Sequence, residues 1–127
     1  MQKQQGMVEA KVTEAMVKFE REFMGRGPTE ARTYLIEDLV LVRLKGVITR
    51  AEHHLVKMDP TGRGRELIKQ SRMELVEKAK PMLCELIEKE VGLPVISMHA
   101  DLSVRTGERV FIFTLSAKWC APAMRDK

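Results

Sequence analysis

Between Val95 and Ser116 the residues alternate on both sides of a Thr106-Gly107 pair, which reads as a two-residue hairpin turn. That turn sets Arg105 against Glu108 and lines one face with Leu102/Phe111, Ala100/Phe113 and Met98/Leu115. The other face carries Ser103/Val110, Asp101/Ile112 and His99/Thr114, so one side is a core and the other is mixed. A second β-rich run, Arg32 to Leu44, is broken by Glu37-Asp38. Turning there pairs Leu35 with Val40 and Thr33 with Val42 on one face, and Tyr34 with Leu41 and Ile36 with Leu39 on the other. Both faces of this hairpin are apolar, which predicts a cover on each.

The remaining segments repeat at three or four. Val8, Val12, Met16, Phe19 and Phe23 mark an amphipathic helix that Gly25 and Pro28 stop. Thr49-Arg50-Ala51-Glu52 has the form of a capping box, opening a short helix that Asp59-Pro60-Thr61-Gly62 breaks. A long helix follows, with Leu67, Ile68, Leu75, Val76, Ala79, Met82, Leu83, Leu86, Ile87 and Val91 as its stripe and Gly92 as its end. Pro81 inside it predicts a kink or a restart.

A helix followed by a hairpin thus occurs twice. The fold class expected is α+β, with two αββ-like halves giving a four-stranded antiparallel sheet and helices packed on one face. One domain spans 7–116, between a flexible N-terminus at 1–6 and a tail at 117–127. A twofold partner is the simplest cover for the first hairpin's second apolar face. A homodimer through Tyr34, Ile36, Leu39 and Leu41 is therefore expected.

Composition narrows the class without naming a function. At 127 residues, 44% hydrophobic and 31% charged, the chain has the make-up of an ordinary soluble domain with a core of its own. No apolar run approaches the roughly 20 residues that span a bilayer. Met1 to Gly6 lacks the apolar stretch of a signal peptide, so a cytoplasmic protein is expected. Cys84 and Cys120 have no metal-ligand spacing and read as thiols of a reducing compartment. A net charge of +4 suits an acidic partner, a membrane surface or neither.

Candidate chemistry is thin. His99 and Asp101 share a strand face and could orient an imidazole or supply two metal ligands, but no third group joins them. A polar outer face, or polar contacts across a dimer, is the simpler use. His53 and His54 point about 100° apart on a helix, which suits surface positions better than a shared ion. Gly25-Arg26-Gly27 and Gly62-Arg63-Gly64-Arg65 could hold an anion, yet lack Walker or Rossmann spacing, and read as cap and loop chemistry. From Gly62 to Lys80 there are six basic residues against three acidic, and Arg65, Lys69 and Arg72, with Arg63 ahead of them, predict a basic stripe facing solvent. Nucleic acid lacks stacking partners, because Phe111 and Phe113 fall on the core face. No cofactor and no catalytic motif is expected.

Three segments carry a resemblance. Gly25-Arg26-Gly27-Pro28, Val42-Arg43-Leu44-Lys45-Gly46-Val47-Ile48-Thr49 and Thr106-Gly107-Glu108-Arg109-Val110, the last preceded by His99-Ala100-Asp101, resemble a small bacterial family. That family is similar to the C-type subunit of a sodium-translocating, membrane-potential-generating system. The resemblance covers roughly Val8 to Leu115 and leaves Trp119 and Cys120 unmatched. It implies a soluble protein associated with integral-membrane ion or bicarbonate transport machinery, peripheral at the membrane through that partner. It brings no catalytic residues. The expectation is a non-enzymatic accessory or interaction protein, and the alternative is an anion- or nucleic-acid-binding regulator.

Overall fold

A computed structural model describes residues 2–121, with side chains from Gln4 onward. The elements run α1 (Gln2–Phe23), β1 (Glu30–Ile36), β2 (Leu39–Lys45), α2 (Arg50–Lys57), α3 (Arg63–Val91), β3 (Val95–Ser103) and β4 (Glu108–Leu115). The four strands form one antiparallel sheet in the order β1-β2-β4-β3, so the two hairpins join through β2 and β4. The α+β class and its single antiparallel sheet are as the periodicities predict.

Alternation decides which face is covered. Thr33, Leu35, Val40, Val42, Leu44, Arg109, Phe111, Phe113, Leu115 and Leu102 are all buried and all share one face. Helix α1 packs there against β1, α3 packs against β3, and the two helices touch each other. From α1 come Val12, Met16 and Phe19, and from α3 come Ile68, Val76, Ala79, Leu83, Ile87 and Val91. Full burial of side chains such as Phe111 and Phe113 contributes roughly 1.5–3 kcal/mol each.

The first hairpin has the predicted register, with Tyr34 opposite Leu41 and Ile36 opposite Leu39. The second does not. Ser103 pairs with Glu108 and Leu102 with Arg109, two residues off the predicted pairing, because the loop holds four residues, Val104 to Gly107. Gly107 is the loop's one left-handed residue (φ 74°), and its amide donates to the Ser103 carbonyl at 2.8 Å. A two-residue turn of the commonest type needs positive φ at both positions, which Thr106 does not supply. A shift of two preserves the faces, so the predicted core residues stay inside while their partners change.

Three more differences are local. Helix α1 starts at Gln2, ahead of the apolar repeat that begins at Val8. Helix α3 runs through Pro81 without a restart, and Leu67 and Leu75 are exposed while Ile68 and Val76 are buried. The tail begins by packing on the domain: the Trp119 indole N–H donates to the Val91 carbonyl at 3.1 Å, and Ala121 is buried. The rest of the tail lies outside the described residues. Gly46, in the Lys-Gly segment, adopts φ 70°, and a Cβ there would run into the Thr29 side chain.

Candidate functional site

The basic stripe is where the structure departs furthest from expectation. Arg63, Arg65 and Lys69 are exposed, but Arg72 is 4% exposed and points inward. It lies four residues from Ile68 and four from Val76, both buried, and so sits on the core-facing ridge of α3. Its Nε donates to Glu52 Oε2 at 3.0 Å, and its Nη2 donates to Glu52 Oε1 and to the Val47 carbonyl, both at 2.7 Å. Glu52 also completes the predicted capping box, accepting from the Thr49 amide at 2.9 Å while its own amide donates to Thr49 Oγ1. Burial alone would raise the Glu52 pKa. The hydrogen bonds from Arg72 and Thr49 outweigh it and lower the pKa to about 2. Arg72 is thus a tie between α3, the start of α2 and the segment joining β2 to α2.

The start of α3, which holds the second Gly-Arg segment, meets the chain's own carboxylate. Asp59 accepts from the Gly64 amide through Oδ2 and from the Thr61 amide through Oδ1, each at 3.0 Å. Hydrogen bonds from Thr61, then from Gly64, hold its pKa below the usual range. An anion at this helix start would meet a carboxylate that already takes the Gly64 amide.

Beneath the sheet lies a second charged group. Glu20 and Arg109 are 0% and 2% exposed, and their nearest oxygen and nitrogen are 3.9 Å apart. Among the described residues neither Glu20 oxygen has a hydrogen-bond partner, nor do Arg109 Nε and Nη2 or Arg72 Nη1. Burial raises the Glu20 pKa, and the charges of Arg109 and Arg72 offset this only in part. Burial likewise lowers that of Arg109, whose guanidinium lies 5.5 Å over the Phe111 ring. A cavity of about 60 Å³ adjoins Arg72 and Arg109, walled by Val76, Met98, Ala100 and Leu102. The sequence held a signal for each charge: Glu20 follows Met16 by four on the α1 stripe, and Arg109 alternates with Phe111.

The outer face of the sheet has none of the described helices over it. Its rows read Arg32, Arg43, Val110 and Asp101, then Tyr34, Leu41, Ile112 and His99, then Ile36, Leu39, Thr114 and Ser97. Tyr34, Leu39, Leu41, Val110 and Ile112 are half-buried by their neighbours alone, and Ile36 is 48% exposed. The four predicted interface residues therefore form one patch, which Val110 and Ile112 enlarge. His99 and Asp101 do share this face, but Asp101 bonds Lys69 Nζ at 3.3 Å and the Leu102 amide rather than His99. His53 and His54 are exposed on α2. No group of three or more His, Cys, Asp or Glu side chains converges among the described residues. A groove of about 690 Å³ between α1 and α3, floored by Phe19, Phe23, Met82 and Leu86, is open to solvent.

The described residues define a two-layer α+β domain, an antiparallel sheet with α1 and α3 on one face. The chain belongs to the family described as Na+-translocating membrane potential-generating system (MpsC), which it matches over residues 4–117. It is 38% identical over 115 residues to the uncharacterized protein YbcI of Bacillus subtilis (strain 168), covering 91% of this chain and 90% of that protein. It is 24% identical over 105 residues to the uncharacterized protein YrhF of the same organism, covering 80% and 81%. No solved structure matches it significantly. Among the described residues no helix is long and apolar enough to cross a membrane.

Proposed function

We propose that the chain is a non-enzymatic accessory protein that works by binding other protein chains at a membrane-potential-generating or ion-transport system, peripheral to the membrane. The observation that carries this is the outer sheet face, a contiguous apolar patch on which no described element of the chain packs. Patches of this kind mark contact sites with other proteins. Family membership supports the membrane setting. Arg63 and Arg65, exposed at the start of α3, are the basic surface offered to an acidic loop of an integral-membrane partner. The anion- or nucleic-acid-binding alternative is weaker, since Arg72 is inside the fold and Asp59 puts a carboxylate at the start of α3, where it takes the Gly64 amide.

Affinity purification from native membranes tests the role. The tagged protein is expected to retain an integral-membrane transport protein, identified by mass spectrometry, and to retain less of it after Arg63→Glu with Arg65→Glu. Recovery no better than an untagged control would overturn the reading.

A further inference from the structure

Helix α2 is amphipathic, yet none of its residues is buried. It packs on α3, held by the Thr49–Glu52 cap, by the Glu52–Arg72 bonds and by Leu55, which leaves no room for a side chain at Gly64. Its apolar side chains therefore add little to the core. Leu55 is exposed, and so is Leu67, one turn past Gly64 on α3. Met58, where α2 ends, is 80% exposed. Charge at this corner also differs from that on α1, whose outward residues Lys11, Glu14, Lys18 and Glu22 balance in sign. Arg50, Lys57, Arg63 and Arg65 are exposed, and none forms a salt bridge among the described residues. Glu52 is answered by Arg72, which leaves those four cations against Asp59 and Glu66.

We propose that this corner is a lipid-binding site, at which α2 and the first turns of α3 lie on an anionic bilayer surface. Leu55, Met58 and Leu67 enter the headgroup region, and the basic side chains beside them reach lipid phosphates. The inference goes beyond the protein contact assigned to the outer sheet face, because it gives the chain a direct hold on the membrane. An interfacial helix works in this way, with its apolar face in the headgroup boundary and cations at the border. Its burial is then completed by lipid, which accounts for an amphipathic helix that the core does not cover. The sign of the charge selects the surface, since each cation beside an anionic bilayer strengthens binding by about fivefold before screening. Side chains standing out from a helix corner suit a fluid layer that closes around them, whereas the flat outer sheet suits a protein surface. Among the described residues no helix is long and apolar enough to cross a membrane, so the contact stays at the surface.

Sedimentation of the purified protein with lipid vesicles tests the site. The protein is expected to sediment with vesicles of phosphatidylglycerol and phosphatidylcholine in equal parts, to stay behind with phosphatidylcholine alone, and to be released by salt. Met58→Ser with Leu67→Ser, both outside the core, is expected to weaken binding by about tenfold. Arg50→Gln with Lys57→Gln is expected to weaken it by about tenfold or more. The emission of a Met58→Trp variant is expected to move to shorter wavelength with the anionic vesicles. Trp119 sits on the Val91 carbonyl at the far end of α3, so parent emission is expected to hold still. A parent protein left in the supernatant overturns the proposal. So does binding indifferent to either pair of substitutions, and so does binding as strong on neutral vesicles. The vesicles carry no protein, so the two readings fail separately. Vesicle binding without recovery of a transport protein removes only the accessory role, and recovery without vesicle binding removes only the lipid site.

Discussion

Arg72 and Glu52 meet through hydrogen bonds of 3.0 and 2.7 Å, whereas Arg109 and Glu20, more deeply buried, stand 3.9 Å apart at their nearest nitrogen and oxygen. In the first pair the arginine also reaches the Val47 carbonyl and the glutamate caps α2. In the second, both carboxylate oxygens lack partners among the described residues. The two glutamates respond in opposite senses, Glu52 held at a pKa of about 2 and Glu20 raised. Proximity of opposite charge is common to both pairs. What differs is whether hydrogen bonds replace the water each group gives up, and that decides whether a buried ion pair stabilises the fold.

Breaking the satisfied pair should produce the largest effect. Arg72→Met removes the tie between α3 and α2 and leaves Glu52 facing a partly desolvated site, at an expected cost of about 3–5 kcal/mol. The midpoint of urea unfolding, read with the slope held constant, measures it. Arg72→Lys keeps the charge but not the forked geometry, so it should cost about 1.5–3 kcal/mol. A lysine variant as stable as the parent would show that charge alone suffices, and the contrast between the two pairs would lose its cause.

The unsatisfied pair should behave differently. Replacing both members, Glu20→Leu with Arg109→Met, removes orphaned polar atoms and fills their space with apolar ones. The double variant should match the parent or exceed it by about 1–2 kcal/mol, while Glu20→Leu alone is destabilising because Arg109 is left buried and unpaired. Chemical denaturation of the three proteins completes the cycle. A double variant much less stable than the parent would mean that the Glu20–Arg109 pair is as well satisfied as Arg72–Glu52.

How much of this was legible in the chain follows from the strength of each local signal. The capping box and the first hairpin were readable because Thr49, Glu52 and the apolar pairs around Glu37-Asp38 act within a few residues of one another. The second hairpin was readable in its faces but not in its register. Alternation is blind to a shift of two, and the loop length depended on Val104 being drawn into the core. Charge groups Arg72 with Arg65 and Lys69, but the buried residues Ile68 and Val76 bracket it at helical spacing and place it on the core-facing ridge. Glu20 and Arg109 escaped for the same reason: each stands on an apolar stripe, and only the folded chain brings Arg72, Arg109 and Glu20 together. The outer sheet face was half legible, its first hairpin giving Tyr34, Ile36, Leu39 and Leu41, while Val110 and Ile112 joined it through the β2–β4 pairing that no local pattern encodes.

The smallest effects, and the most direct on the comparison, are the pH dependences. Glu52 has a folded pKa of about 2 against an ordinary value of 4.5, so its contribution is complete above 4.5 and is lost as pH falls from 4.5 toward 2. Glu20 has its folded pKa raised above 4.5, so the fold favours the protonated acid; that contribution is complete below 4.5 and is lost as pH rises through the folded value. The amide variants remove each titration without removing the side chain. Glu52→Gln should therefore be most destabilising near neutral pH and converge on the parent in acid. Glu20→Gln should match the parent most closely in acid and gain on it as pH rises, because the parent must then either bury an uncompensated carboxylate or keep a proton against the solvent. Urea midpoints of the three proteins, taken from acid to neutral pH, give the two difference curves directly. If both slope the same way, the Arg109 guanidinium satisfies Glu20 as Arg72 satisfies Glu52, and the distance between the pairs is without energetic meaning.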